Sequence, residues 1–203
     1  EVWNGVGSGT SHNLGAASND TIGYSNSFGV VGISLAQTKG GTRASGDGGN
    51  GGSSTTKKQD WVVTLDGATM GYDGVSGGIM ASTTKSSVAG VADDEIDGLW
   101  LNYSTGAISV GARRSKIEPG AAGSTDKNVE AYAIAYNVSD AISVSIATQD
   151  VEYDNATAAD VTEQIDAINA SYTMGAASVR ATFSEADNDA GLKGVTDEHM
   201  EIS

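Results

Sequence analysis

Large apolar residues alternate with small or polar residues along most of the chain, and the segment 131–149 shows this pattern most clearly. A period of two residues is that of a β-strand, whose successive side chains point to opposite faces of a sheet. The segment therefore predicts a hairpin around Ser139–Asp140. One face would be small and polar, built from Ala, Ser, Asn and Gln. The other would carry Tyr132, Ile134, Tyr136, Val138, Ile142, Val144 and Ile146.

Short turn signals and longer polar connections alternate along the chain. The long connections cover roughly residues 38–58, 86–95, 117–128, 152–162 and 187–196. Strands joined in this order predict an up-and-down meander, because a Greek key would need a long return that breaks the alternation. The predicted short turns are Ser25–Ser27, Asp73–Gly77, Ser104–Gly106, Ser139–Asp140 and Met174–Ala176.

The segment 60–80 does not keep a single phase. Its apolar residues around Val63 lie on the opposite parity from Met70 and Tyr72, and Gly67 stands between the two groups. A β-bulge inserts one extra residue into a strand and so resets the alternation. We therefore expect a bulge at Gly67.

Alternation alone fits a soluble β-sandwich as well as a membrane-spanning β-barrel, but three features favour the barrel. The predicted strands are about 9–12 residues long, which matches a tilted bilayer span and exceeds the length of about 5–6 common in soluble proteins. Each clear connection is a hairpin. A tyrosine also stands near each short turn, where an interfacial aromatic belt would lie. This predicted belt is Tyr24, Tyr72, Tyr103, Tyr136 and Tyr172.

Composition narrows the class of protein further. The 203 residues include 28 Gly, 1 Pro and no Cys, and 26 acidic against 11 basic residues give a net charge of −15. The absence of Cys excludes disulfides and thiolate metal sites, and the acidic balance makes nucleic acid an unfavourable partner. Because the chain begins at Glu1 without a basic leader and stops within the apparent strand DEHMEIS, we expect a fragment that is incomplete at both ends.

The segment NDTIGYSNSFGVVGISLAQT, Asn19–Thr38, resembles a known strand–turn–strand motif. It is similar to the form NxIxYxSPxFxGFxxGxxY, which follows the constriction loop in the general bacterial porins of Gram-negative outer membranes. Ser27 stands where Pro is common in that motif, and Val30 or Val31 stands where Phe is common. The hairpins around Ser139–Asp140 and Met174–Ala176 also resemble porin repeats.

The resemblance implies an all-β fold, an up-and-down antiparallel transmembrane β-barrel. About 10–11 strands of a probable 16 would form one domain over residues 1–203, and residues 1–19 would be the tail of the constriction loop. The family is trimeric, so the resemblance also implies a homotrimer in contact with outer-membrane lipid and lipopolysaccharide. Its function would be passive diffusion of ions and small hydrophilic solutes through a water-filled pore, with no enzymatic activity.

Pore-lining cations are the candidate functional residues. Arg113 and Arg180 lie on the small, polar parity, whereas Arg114 and Lys116 lie on the other and are expected at the rim. In the porin family, wall arginines face carboxylates of the constriction loop. The resemblance implies that Glu1 and Asp20 are such carboxylates and line the pore. The alternative is that an arginine on a solvated face serves solubility alone.

The acidic loops raise the question of a metal site. Hard cations prefer oxygen ligands, but none of these loops has the twelve-residue spacing of a calcium-binding loop. We therefore expect no cofactor, with loose divalent cation binding as the alternative for Asp93, Asp94, Glu95, Asp187 and Asp189.

Another class of protein remains open. No nucleophile elbow, zinc-protease motif or P-loop occurs in the sequence, so an enzyme is not expected. The alternative function is that of an extracellular adhesin or surface protein, with the Gly-, Ser- and Asp-rich loops as its exposed face.

Overall fold

A computed structural model describes residues 21–38, 41–42, 54–55, 57–86, 88–155 and 158–203. Nearly all of them are in strands or tight turns. The strands are β1 Thr21–Phe28, β2 Val31–Thr38, β3 Gly41–Thr42, β4 Ser54–Thr55, β5 Lys58–Asp66, β6 Val75–Thr84, β7 Asp94–Thr105, β8 Ile108–Glu118, β9 Asp126–Asn137, β10 Ile142–Asp154, β11 Val161–Met174, β12 Ala177–Asp187 and β13 Thr196–Ile202. Two short 3₁₀ helices cover Ala68–Met70 and Asp189–Gly191. Neither helix is long and apolar enough to cross a membrane, and the described residues contain no other.

Eleven strands form one antiparallel sheet in the order β1-β2-β5-β6-β7-β8-β9-β10-β11-β12-β13. Strands β3 and β4 form a separate small pair within the connection between β2 and β5. Each strand of the large sheet pairs with the next along the chain, which confirms the predicted up-and-down meander. The sheet is open, because in the described residues β1 and β13 each have a partner on one side only.

The short turns depend on glycines that adopt positive φ. Gly29, Gly106 and Gly175 have φ values of 62°, 54° and 62°, a region that is costly for residues with a Cβ. The prediction of a turn at Ser25–Ser27 is wrong, because β1 continues through these residues and the chain reverses at Gly29. Serines tolerate a strand, whereas the glycine supplies the conformation that a tight reversal needs.

The predicted bulge at Gly67 is also wrong. Strands β5 and β6 pair in continuous register up to Asp66 and Ser76, and the residues between them form the 3₁₀ helix and a turn. Met70 therefore lies in the connection, where the alternation of a strand does not apply. Gly67 closes this connection, donating its N–H to the Val75 carbonyl at 2.8 Å and accepting the N–H of Tyr72 at 2.9 Å.

The two faces of the sheet differ in size of side chain and in burial. The row Ile134, Ile146 and Ile168 across β9–β11 is 47%, 56% and 56% exposed, and the adjacent row Ala133, Ala147 and Ala167 on the other face is 8%, 1% and 1% exposed. Small side chains become the buried ones when a sheet curves toward them and its backbone crowds around them. The face of Ala, Ser and Asn is therefore the concave, inner face, and the apolar face is convex and outer, as the sequence predicts for a barrel.

Candidate functional site

The inner face of the sheet carries the candidate site, and one row of residues crosses its middle. This row, called here the Trp100 row, contains Gly78, Trp100, Arg113, Ala131 and Gln149 on the successive strands β6–β10. A Cβ on Gly78 would lie 2.5 Å from the ring of Trp100. The six-membered ring of the Trp100 indole thus lies against the backbone at Gly78, a close approach that only glycine permits.

Arg113 lies along the wall in this row. Its Nη2 donates a hydrogen bond of 2.6 Å to Oε1 of Gln149, two strands away. The residue between them is Ala131, which is fully covered at 0% exposure. Because an alanine methyl is short, the arginine side chain can cross above it and reach the amide. Arg113 is consequently half-buried and fixed in position.

Arg180 occupies a different part of the inner face. It lies on β12 opposite Ser171, three residues from the start of the strand at the end of the sheet that carries the short turns. The Trp100 row, extended by register, reaches β12 at Ala186. Along the strand Arg180 and Ala186 are about 20 Å apart at roughly 3.4 Å per residue. The two predicted arginines are thus both on the inner face, but they do not form one cluster.

The other predicted residues lie on the outer face or outside the described residues. Arg114 and Lys116 point outward from β8, and they contact Glu130 at 3.4 Å and Glu118 at 2.7 Å. Glu1, Asp20 and the segment 1–19 lie outside the described residues, so the expected pairing of wall arginines with loop carboxylates stays a prediction.

The predicted belt tyrosines do not all lie at one level. Tyr103, Tyr136 and Tyr172 are exposed on the outer face, close to the ends of their strands that lead into the short turns. Tyr72 is in the connection between β5 and β6, and Tyr24 is further from its turn, in mid-strand. Their position in a lipid interface stays a prediction.

A cluster of polar residues at the opposite end of the inner face was missed from the sequence. Tyr153 donates a hydrogen bond of 2.8 Å to Glu163, whose other oxygen accepts the N–H of Ala190 at 3.2 Å. Lys127 lies 4.7 Å from the centre of the Tyr153 ring. Parity alone places these three side chains on the inner face. It gives no sign that the connection around Asp189–Gly191 folds back over them, because that depends on the local αL conformations of Asn188 and Ala190.

The acidic connection 85–93 is held by an internal ion pair. Asp93 accepts hydrogen bonds from the Lys85 ammonium and from the Ser86 N–H, and the Lys85 contact in particular lowers the pKa of the Asp93 carboxyl. Asp94 accepts the N–H of Gly120 at 2.8 Å. Across the described residues no three acidic or histidine side chains are placed to hold a metal ion.

The outer face changes character along the strands. Near the short turns its side chains are apolar, as at Leu99, Leu101 and Tyr103 on β7. Near the long connections the same face becomes acidic. Its carboxylates are Glu95, Asp97, Glu130, Asp150, Glu152, Asp166 and Glu185.

Comparison with known proteins agrees with this geometry. No family model matches the sequence, and a search of curated proteins gives no match either. Among solved structures, the anion-selective porin from Comamonas acidovorans matches with a TM-score of 0.70 and 13% identity, over 90% of this chain and 57% of that chain. The fold is that of the bacterial outer-membrane porins.

Two further structures share the porin fold with this chain. A porin structure refined at 1.8 Å matches with a TM-score of 0.65 and 15% identity, over 88% of this chain and 59% of that chain. OmpT, an outer membrane protein of Vibrio cholerae, matches with a TM-score of 0.66 and 12% identity, over 82% of this chain and 53% of that chain. The chain therefore spans just over half the length of the structures it matches. At such low identity the likeness shows the fold alone.

Proposed function

We propose that this chain forms part of the wall of a water-filled pore in the bacterial outer membrane. Ions and small hydrophilic solutes would diffuse through it passively. The observation that carries the proposal is the inversion of the two faces, with exposed Ile, Leu and Tyr outside and buried Ala, Ser and Asn inside. An apolar convex face of this extent is unfavourable in water and favourable in hydrocarbon.

The backbone and the inner face support the same proposal. In a bilayer each N–H and C=O must find a partner within the protein, and antiparallel pairing along eleven strands supplies these partners. The inner face carries hydroxyls, amides and two arginines, groups that suit contact with water and polar solutes. Such a wall selects by width and charge, so the proposed function includes no enzymatic step and no cofactor.

The assembly is part of the proposal as well. A homotrimer in contact with lipid and lipopolysaccharide is inferred from the resemblance to the general bacterial porins. The acidic half of the outer face lies where the apolar half ends, at the level expected for lipid head groups. Loose binding of divalent cations there would bridge carboxylates to anionic lipid.

The test is reconstitution of the full-length protein that contains this chain. In planar bilayers we expect stepwise conductance increments, grouped in threes if the trimer is correct. On a detergent gel the unheated protein should migrate differently from the heated protein, because a closed barrel resists detergent until it is heated. A protein that stays in solution without detergent and opens no channels would overturn the pore and favour the adhesin.

A further inference from the structure

Arg180 lies in a hollow of the inner face that the Trp100 row does not reach. The hollow has a volume of about 250 Å³ and is open to the lumen side of β8–β12. Its polar lining consists of Arg180, the asparagines Asn137 and Asn169, and the serines Ser109, Ser143, Ser145 and Ser171. Arg180 pairs in register with Ser171, and Ser171 with Ser143, so three polar side chains stand in one row at the short-turn end.

The hollow contains one charge, and that charge is positive. None of its lining residues is acidic. Among the described residues Arg180 makes no ion pair. The nearest inner-face carboxylate by register is Glu201 on β13, whose partner on β12 is Thr182, and it faces His199 at 3.9 Å. Arg113, by contrast, already donates to Gln149.

The surrounding groups are partly ordered by contacts with each other. The hydroxyls of Ser143 and Ser171 lie 2.7 Å apart, and Thr182 donates to Asn169 at 2.7 Å beside them. One hydroxyl of the serine pair donates to the other, so the second keeps its proton for a ligand. The hollow therefore offers a guanidinium fork together with hydroxyl and amide donors, and this is the donor set that suits a planar or tetrahedral oxyanion.

From this geometry we propose that the Arg180 hollow is a binding subsite for oxyanions, that is, for the carboxylate or phosphate group of small hydrophilic solutes. The inference rests on the proposed pore. The subsite lies at the short-turn end, about 20 Å along the strand from the level of Arg113. The subsite is thus separate from Arg113 on the wall, and the water-filled setting keeps binding weak enough for release.

The experiment uses channels of the full-length protein in planar bilayers bathed in chloride. Added inorganic phosphate, and separately acetate, should reduce the chloride current in a saturable way. In Arg180→Gln the half-blocking concentration of both anions should rise at least about tenfold, as expected for loss of a charged hydrogen bond. Arg114→Gln is the matched control, because it removes the same charge from the outer face and should leave the block unchanged.

Two further variants separate a built subsite from a simple positive charge. Arg180→Lys keeps the charge without the fork, so the ratio of anion to cation permeability should be preserved while the block by phosphate weakens. The double variant Ser143→Ala/Ser171→Ala keeps the whole arginine and should also weaken the block. Unchanged block in Arg180→Gln, or equal block in Arg180→Lys and the parent protein, would overturn the subsite while the pore stands. Absence of channels in the parent protein would instead overturn the pore itself.

Discussion

Two neighbouring rows of β9–β11 show how the two faces of this sheet differ. The isoleucine row, Ile134, Ile146 and Ile168, is exposed, whereas the alanine row, Ala133, Ala147 and Ala167, is buried. The members of the two rows are adjacent in sequence on every strand. In a water-soluble protein the larger apolar side chains would occupy the buried row.

The difference between these rows indicates what surrounds each face. About 25 cal/mol per Å² favours removing apolar surface from water, so a wide exposed band of Ile, Leu and Tyr requires an apolar medium. The alanine row lies on the concave face, where the neighbouring strands leave room only for short side chains. Variants of the full-length protein can test this contrast.

The largest effect is expected from a charge in the isoleucine row. Ile146→Arg should lower the free energy of unfolding from phospholipid vesicles by about 2–4 kcal/mol, because the guanidinium would lie in hydrocarbon. The measurement is urea-induced unfolding followed by tryptophan fluorescence. Gln164→Arg, on the same face among the carboxylates, is the control and should cost much less. A loss at Ile146 as small as that at Gln164 would show that the isoleucine row does not lie in hydrocarbon.

A larger side chain in the alanine row should have the next largest effect. Ala147→Leu should destabilise the protein by about 1–3 kcal/mol, because its row neighbours Ala133 and Ala167 leave no space. The same leucine one position earlier, Ile146→Leu, keeps the volume and should cost less than about 1.5 kcal/mol. Unfolding midpoints of the two variants provide the comparison. If Ile146→Leu lowers the stability as much as Ala147→Leu, the two faces do not differ in the space they leave for a side chain.

Loss of the hydrogen bond between Arg113 and Gln149 should have a smaller effect on stability. Gln149→Ala removes the acceptor of the 2.6 Å hydrogen bond, so we expect a loss of about 1 kcal/mol, the usual net contribution of one such bond. Loss of this hydrogen bond should also change the single-channel conductance, because it alters how the guanidinium is positioned. Ser115→Ala removes a buried inner-face hydroxyl outside the Arg180 hollow and serves as the control for a polar deletion. Unchanged conductance in Gln149→Ala would mean that the hydrogen bond does not position the charge.

The smallest effect is expected outside both rows, in the connection 85–93. The contacts with Lys85 and Ser86 lower the pKa of Asp93. The ion pair therefore contributes its full stabilisation at pH values above the usual pKa of an Asp carboxyl. This contribution is lost as the pH falls through the lowered pKa. Titration of the Asp93 carboxyl by NMR should give a midpoint below that of an exposed Asp, and Lys85→Gln should raise it. Because the group is exposed, overall stability should hardly change. A normal midpoint in the parent protein would show that the pair does not persist in solution.

Much of the architecture follows from sequence because parity is a local property. The choice of apolar face and the order of strands need only alternation and turn spacing, and both are confirmed. Turn position is harder to predict, because Ser25–Ser27 and Gly29 both carry turn-forming residues. Only the backbone conformation shows that Gly29 makes the reversal.

The contacts of the candidate site could not be predicted in the same way. Arg113 and Gln149 are far apart in sequence and meet because register places them in one row with Ala131 between them. Register across several strands accumulates from every turn, so an error of one residue in any hairpin would separate them. The contact of Glu163 with Ala190 depends similarly on a connection that folds inward.

Ala131 has a consequence for the width of the proposed pore. Its methyl group is the low point over which the Arg113 side chain reaches Gln149. Any longer side chain at this position would block that path and push the guanidinium away from the wall toward the axis. In the proposed pore, a single substitution at Ala131 would therefore alter the width and the local electric field together while every strand stays in place.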